Sequence, residues 1–111
     1  MFDFKNKVAV VTGGAQGIGK CIAEEFEKAG AKVCMIDLQE NAYFQGDISE
    51  KETLEKFADK VIQDYGHVDY LINNAAPLFK GIDECTYEEF LYALNVGVTA
   101  PFYLSKLFKS H

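Results

Sequence analysis

Between an apolar run and a helix-patterned stretch the chain reads Thr12-Gly13-Gly14-Ala15-Gln16-Gly17-Ile18-Gly19. Glycines let a backbone approach a ligand without a Cβ in the way. The run before them, Val8-Ala9-Val10-Val11, has the character of a buried strand. A strand end and a helix start both aim free N–H groups at one point, and the helix dipole adds partial positive charge there. Residues in this order predict a pocket for a pyrophosphate. The spacing is G-x-x-x-G-x-G, not the common G-x-G-x-x-G. Glycines alone would suit a tight turn without ligand, so the placement between strand and amphipathic helix carries the reading.

Asp37 stands 18 residues beyond Gly19, close to the ~20 expected of an acid that hydrogen-bonds the adenosine ribose hydroxyls. The same carboxylate repels a 2′-phosphate, and no Arg or Lys stands at Gln16, Leu38 or Gln39 to offset it. The expectation is NAD in preference to NADP; the other reading of Asp37 is a carboxylate that caps a turn. Asp47-Ile48 could meet an adenine amino group or serve only loop chemistry beside Ser49. Asn73 and Asn74, followed by Ala75-Ala76-Pro77, suit a strand end where amides satisfy loose backbone groups. Asn95 falls mid-helix on an apolar face with Leu91, Leu94 and Val98. Pro101 has no N–H for the Gly97 carbonyl, which predicts a bend with exposed acceptors. Asn95 could there hold water or a ligand group, or be a buried, hydrogen-bonded asparagine.

Strands and helices alternate along the whole chain to position these groups. Strands are expected over 7–12, 31–37, 42–45 and 68–73. Ile18, Cys21, Ile22, Phe26 and Ala29 recur at helical spacing, with Gly30 closing that helix. Ser49 with Glu52 reads as a capping box for a helix burying Leu54, Phe57, Ala58, Val61, Ile62 and Tyr65. Thr86 with Glu89 reads as a second, opening a long helix to about Lys109. Buried strands alternating with helices predict an α/β fold: a Rossmann-type doubly wound parallel sheet, a three-layer sandwich with right-handed crossovers.

The 111 residues fit one domain; 49% are apolar, 25% charged and the net charge is −6. That charge, with no basic cluster, excludes electrostatic binding of nucleic acid or an anionic membrane. Cys21, Cys34 and Cys85 lie far apart and are odd in number, which argues for thiols in a reducing compartment. No apolar run reaches the ~20 residues of a membrane span, and the N-terminus lacks a secretion signal. A cytoplasmic location is expected. His67 has no partner ligands, so no metal site is expected. Phe57, Tyr65, Phe90, Phe102 and Phe108 follow the helical period and read as core or interface.

Taken together, Thr12-Gly13-x-x-x-Gly17-x-Gly19, Asp37, Gly46-Asp47, Asn73-Asn74-Ala75 and the Asn95 helix resemble the short-chain dehydrogenase/reductase family over the whole chain. The resemblance implies that Gly13, Gln16, Gly17, Ile18 and Gly19 line the NAD pyrophosphate. Asp37 and Leu38 would meet the adenosine ribose, Asp47-Ile48 the adenine, and Asn74 and Ala75 the nicotinamide ribose. The backbone carbonyl at Asn95 would hold a water in the catalytic proton relay. The family's Asn-Asn-Ala-Gly is here Asn-Asn-Ala-Ala-Pro. Its catalytic Ser and Tyr-x-x-x-Lys have no counterpart: no tyrosine has a lysine four residues on, and Tyr103 to Lys106, spaced three, reads as helix surface. Residues 1–111 are therefore expected to be the cofactor-binding N-terminal part of a single ~250-residue domain.

The function expected is NAD-dependent hydride transfer between NAD(H) and a secondary alcohol or ketone. A non-catalytic NAD-binding or regulatory module is the alternative, and a purely structural domain leaves the glycine loop without purpose. The last helix is apolar around much of its girth (Phe90, Leu91, Leu94, Val98, Phe102, Tyr103, Leu107, Phe108), more than one sheet face covers. The resemblance implies a homodimer or homotetramer through it.

Overall fold

A computed structural model describes residues 3–77 and 80–111. Its central strand β1 (Val8–Thr12) is buried at every position, as a strand covered on both faces must be. β2 (Lys32–Asp37) lies on one side of it and β4 (Tyr70–Asn73) on the other; β3 (Phe44–Gln45) pairs with β2. All pairings are parallel, in the order β3-β2-β1-β4. The chain runs outward from β1 through β2 and β3, then returns to the far side of β1 for β4. That reversal opens a crevice at the carboxyl ends of β1 and β4, where ligands of such sheets bind.

Helices cover both faces. Val8 and Val10 of β1 and Cys34 and Ile36 of β2 form one core with α2 (Lys51–Tyr65) and α4 (Ala100–Phe108). Phe57 is fully buried at its centre, edge-on to Phe44 and Phe108, a burial contributing roughly 2–3 kcal/mol. α1 (Gly17–Lys28) packs on β1 and β2, and its Phe26 stacks with Phe4 and Tyr70. The expected doubly wound, three-layer arrangement is the one observed.

Several local expectations need correction. On α1, Ile18 is 75% exposed and Cys21 is exposed, while Gly19 and Ala23 are buried. At 100° per residue Gly19, Ala23 and Phe26 share one arc, whereas Ile18 lies well outside it and Cys21 is nearly opposite. Small residues at 19 and 23 bring the helix close to the sheet, so the buried stripe centres on them. On α2, Leu54, Phe57, Ala58 and Val61 are buried, Ile62 is half-buried and Tyr65 is exposed. Ser49 caps nothing: the N-cap is Glu50, without a side-chain hydrogen bond. The Asp47 carboxylate instead accepts the Ser49 N–H at 2.9 Å. An aspartate two residues upstream outcompetes a hydroxyl for the same turn.

The second capping box is present. Thr86 Oγ1 accepts the Glu89 N–H and Glu89 accepts the Thr86 N–H, both at 3.1 Å. The helix it opens is not continuous: α3 (Tyr87–Leu94) passes into a π-helical turn, Asn95–Thr99, before α4. The Ala100 N–H reaches back five residues to the Asn95 carbonyl. Pro101, next in line, cannot donate, and the widened turn takes up the break that its sequence position predicts.

Candidate functional site

The carboxyl ends of all four strands converge on a cleft of about 560 Å³. Gly13, Gln16 and Gly17 line it after β1, Asp37 and Leu38 after β2, Asp47 and Ile48 after β3, and Asn74 and Ala75 after β4. Nine of the residues selected from sequence therefore share one crevice, although 61 residues separate Gly13 from Asn74.

The buried Thr12 at the end of β1 anchors it. Its hydroxyl accepts the N–H of Asn74 at 3.1 Å and of Ala75 at 3.0 Å. The Asn74 side chain turns back and donates to the Gly13 carbonyl at 3.0 Å. Gly13 has φ +67°, and a Cβ there would lie 3.0 Å from the Ala75 Cα. A Cβ on Gly19 would overlap both the Gly13 carbonyl oxygen and Asn74 Nδ2. These glycines allow loop, helix and β4 to meet. Gly17 differs: φ is +60° and nothing lies within 4 Å of its missing Cβ. The loop is open where Gly17 borders the cleft.

Gln16, at the N-cap of α1, gives the first turn no side-chain hydrogen bond. The first-turn N–H groups remain available to an anion. Asp37 closes the other side of the loop: one carboxylate oxygen accepts the Ala15 N–H at 3.0 Å, the other the Gln39 N–H at 2.9 Å. An ionised carboxylate has about four acceptor sites, so two bonds leave capacity for hydroxyl donors. Gln39 Nε2 donates to Gln16 Oε1 at 3.0 Å, putting neutral amides beside the carboxylate. Asp37 thus organises the turn, and it borders the cleft.

At the far end, Tyr92 of α3 lines the cleft and donates to Asp47, 3.3 Å from each carboxylate oxygen. Burial first, then the neighbouring Asp47 charge, raises the phenol above its ordinary value. Sequence reading missed Tyr92, treating its helix as core and interface. A polar-tipped aromatic one turn before the Pro-linked break was the available signal.

Three selected residues lie outside the lining. Ile18 and Gly19 sit at the head of α1, one exposed and one buried. Asn95 opens the π turn and is exposed, and the cleft takes Val96 from that turn. Its carbonyl accepts the Ala100 N–H. Gly97 is the residue of the turn opposite the β4 loop, its missing Cβ pointing 3.9 Å from Pro77 Cδ. Leu91, Leu94 and Val98 are exposed together with Asn95, so the apolar face drawn from sequence faces solvent and Asn95 is not a buried asparagine. His67 pairs with Asp69, Nε2 3.0 Å from the carboxylate.

A parallel sheet with a glycine loop, a strand-end acid and a crevice at its switch point defines a Rossmann-type dinucleotide-binding fold. The short chain dehydrogenase family model matches residues 7–111, and the chain belongs to that family. An uncharacterized oxidoreductase of Thermotoga maritima is 34% identical over 92% of this chain and 46% of its own length. The apo short-chain oxidoreductase (SCOR) enzyme of Clostridium thermocellum superimposes with TM-score 0.88 at 40% identity, covering 95% of this chain and 49% of that one. A metagenomic short-chain oxidoreductase in complex with NADP gives TM-score 0.88 at 27% identity, covering 96% and 57%. The chain thus spans about half the length of the relatives it matches. Among the described residues, no helix is long and apolar enough to cross a membrane.

Proposed function

We propose that this chain is the cofactor-binding part of a single ~250-residue domain that transfers hydride between NAD(H) and a secondary alcohol or ketone. The observation that carries the reading is Asp37, an acid beside the glycine loop on the rim of the same cleft, with Gln16 and Gln39 as its polar neighbours. A 2′-phosphate would meet a carboxylate and no cation from these three residues, whereas ribose hydroxyls would find an acceptor. The N–H groups of α1 fit a pyrophosphate, and the Asp47 carboxylate on the cleft wall beside Ile48 fits a heteroaromatic base with a donor amine. A bound nicotinamide cofactor supplies the hydride chemistry; the residues here bind and orient it.

The backbone carbonyl of Asn95, at the start of the π turn, would hold a water in the proton path to the substrate hydroxyl. The reading as a regulatory NAD sensor finds less support, the relatives being oxidoreductases. Val98, Phe102 and Phe90, 62%, 64% and 52% exposed, support association through α3 and α4 into a dimer or tetramer. The test is a spectrophotometric screen of the full-length protein, with NADH and NADPH separately, against a panel of ketones. Turnover with NADH, and much less with NADPH, is expected; no turnover of any ketone, or a preference for NADPH, contradicts the reading.

A further inference from the structure

The Tyr92–Asp47 pair bridges the loop after β3 and helix α3. Asp47 follows β3, and Tyr92 comes from α3, 45 residues later. The Asp47 oxygens are not equivalent: Oδ1 also accepts the Ser49 N–H at 2.9 Å, while Oδ2 has the phenol as its protein donor. Oδ2 therefore keeps acceptor capacity toward the cleft. A carboxylate fixed at one oxygen by the backbone alone can still rotate; a second donor from across the cleft restricts it.

We propose that Tyr92 is a positioning residue that fixes the Asp47 carboxylate as an acceptor for the 6-amino group of a purine, so that the cleft discriminates adenine from 6-oxopurine dinucleotides. This rests on the dinucleotide reading above, in which Asp47 meets the adenine, and adds the residue that holds that acceptor in place. A 6-amino group donates to Oδ2, whereas a 6-oxo group points a lone pair at the same anion and is repelled. Tyr92 itself stays a donor at neutral pH, because burial and the Asp47 charge disfavour its phenolate. The 3.3 Å separations are long for a hydroxyl donor, so the phenol guides the carboxylate without consuming its charge.

The experiment is calorimetric titration of the full-length protein, wild type and Tyr92→Phe, with NAD and with nicotinamide hypoxanthine dinucleotide, which carries a ring carbonyl in place of the amine. Wild type is expected to favour NAD by about tenfold or more, as for a hydrogen bond to a charged acceptor. Tyr92→Phe should shrink that ratio about three- to tenfold, with the hypoxanthine dinucleotide changing less than about twofold. In an Asp47→Ala background the same substitution should leave the ratio unchanged, which separates positioning from general loss of fit. If NAD binds but Tyr92→Phe weakens both dinucleotides equally, or neither, the proposal is overturned and the cofactor reading stands. If folded wild type, verified by circular dichroism, binds neither dinucleotide, the cofactor reading fails and takes this proposal with it.

Discussion

The side-chain amide of Asn74 donates to the carbonyl of Gly13 at 3.0 Å, tying the end of β4 to the start of the glycine loop. Gly19 lies against both groups, and a Cβ on it would overlap each of them. Three segments that hold the cleft therefore share a contact point that tolerates hydrogen and little more. Gly19→Ala should push the first turn of α1 away, break the Asn74–Gly13 bond and lower stability by about 1–3 kcal/mol. Ile18→Ala, one residue away but exposed, should change stability by less than about 0.5 kcal/mol. Thermal denaturation of the two variants side by side makes the comparison, and equal melting temperatures would contradict it.

Cys34 and Cys21 should separate cleanly in reactivity. Cys34 is fully buried on β2, and burial pushes its thiol up to about 11. Cys21 is exposed on α1. The thiolate is the reacting species, so a maleimide at pH 8 should modify Cys21 within minutes and leave Cys34 untouched until denaturant is added. Peptide mapping by mass spectrometry reads the order; early labelling of Cys34 would mean that β2 is not packed as described.

The start of α3 is sensitive to acid. Glu89 is held below its ordinary 4.5, first by the Lys80 ammonium and then by the Thr86 N–H; Lys80 sits 2.7 Å from its carboxylate. A depressed carboxyl stabilises the fold above the unfolded value and loses that contribution as pH falls through the folded one. Wild type should therefore lose stability below pH 4.5 more steeply than Glu89→Gln, with the two curves converging in strong acid. Thr86→Ala removes the hydroxyl that caps the helix and should cost about 1 kcal/mol at neutral pH. Melting temperatures measured across the acid range check both, and an unchanged slope in Glu89→Gln would refute the first.

Val98 and Phe102 lie four residues apart, 62% and 64% exposed, and would cover each other's counterparts in a two-fold pair. Val98→Glu with Phe102→Glu should convert an associated full-length protein to monomer without unfolding it, since neither side chain is in the core. Sedimentation velocity measures this. A wild type that is already monomeric at all concentrations would contradict the expectation.

Much of this architecture was legible because periodicity reports burial. Val8 to Val11 is a continuous apolar run and is the central strand; Thr86 and Glu89 have the spacing of a reciprocal cap and form one. The glycine loop and the strand-end acids could be placed in one crevice because a parallel sheet brings its carboxyl ends together. What escaped depends on contacts remote in sequence or on which helix face the fold covers. Ser49 had a cap's spacing, but Asp47 took the turn. Ile18 carries a core residue's chemistry but lies off the arc defined by Gly19 and Ala23. Asn95 falls with Leu91, Leu94 and Val98, but that apolar face is exposed because no element of the described residues covers it. Tyr92 meets Asp47 only through the tertiary fold.

The central claim is that Asp37 at the cleft rim selects an unphosphorylated adenosine ribose. Calorimetric titration of the full-length protein with NAD and NADP, before and after Asp37→Ser, tests it most directly. Wild type should bind NAD about tenfold or more tighter than NADP, and Asp37→Ser should weaken NAD while narrowing the gap to NADP. Equal affinities in wild type, or a substitution that leaves the ratio where it was, would contradict the account.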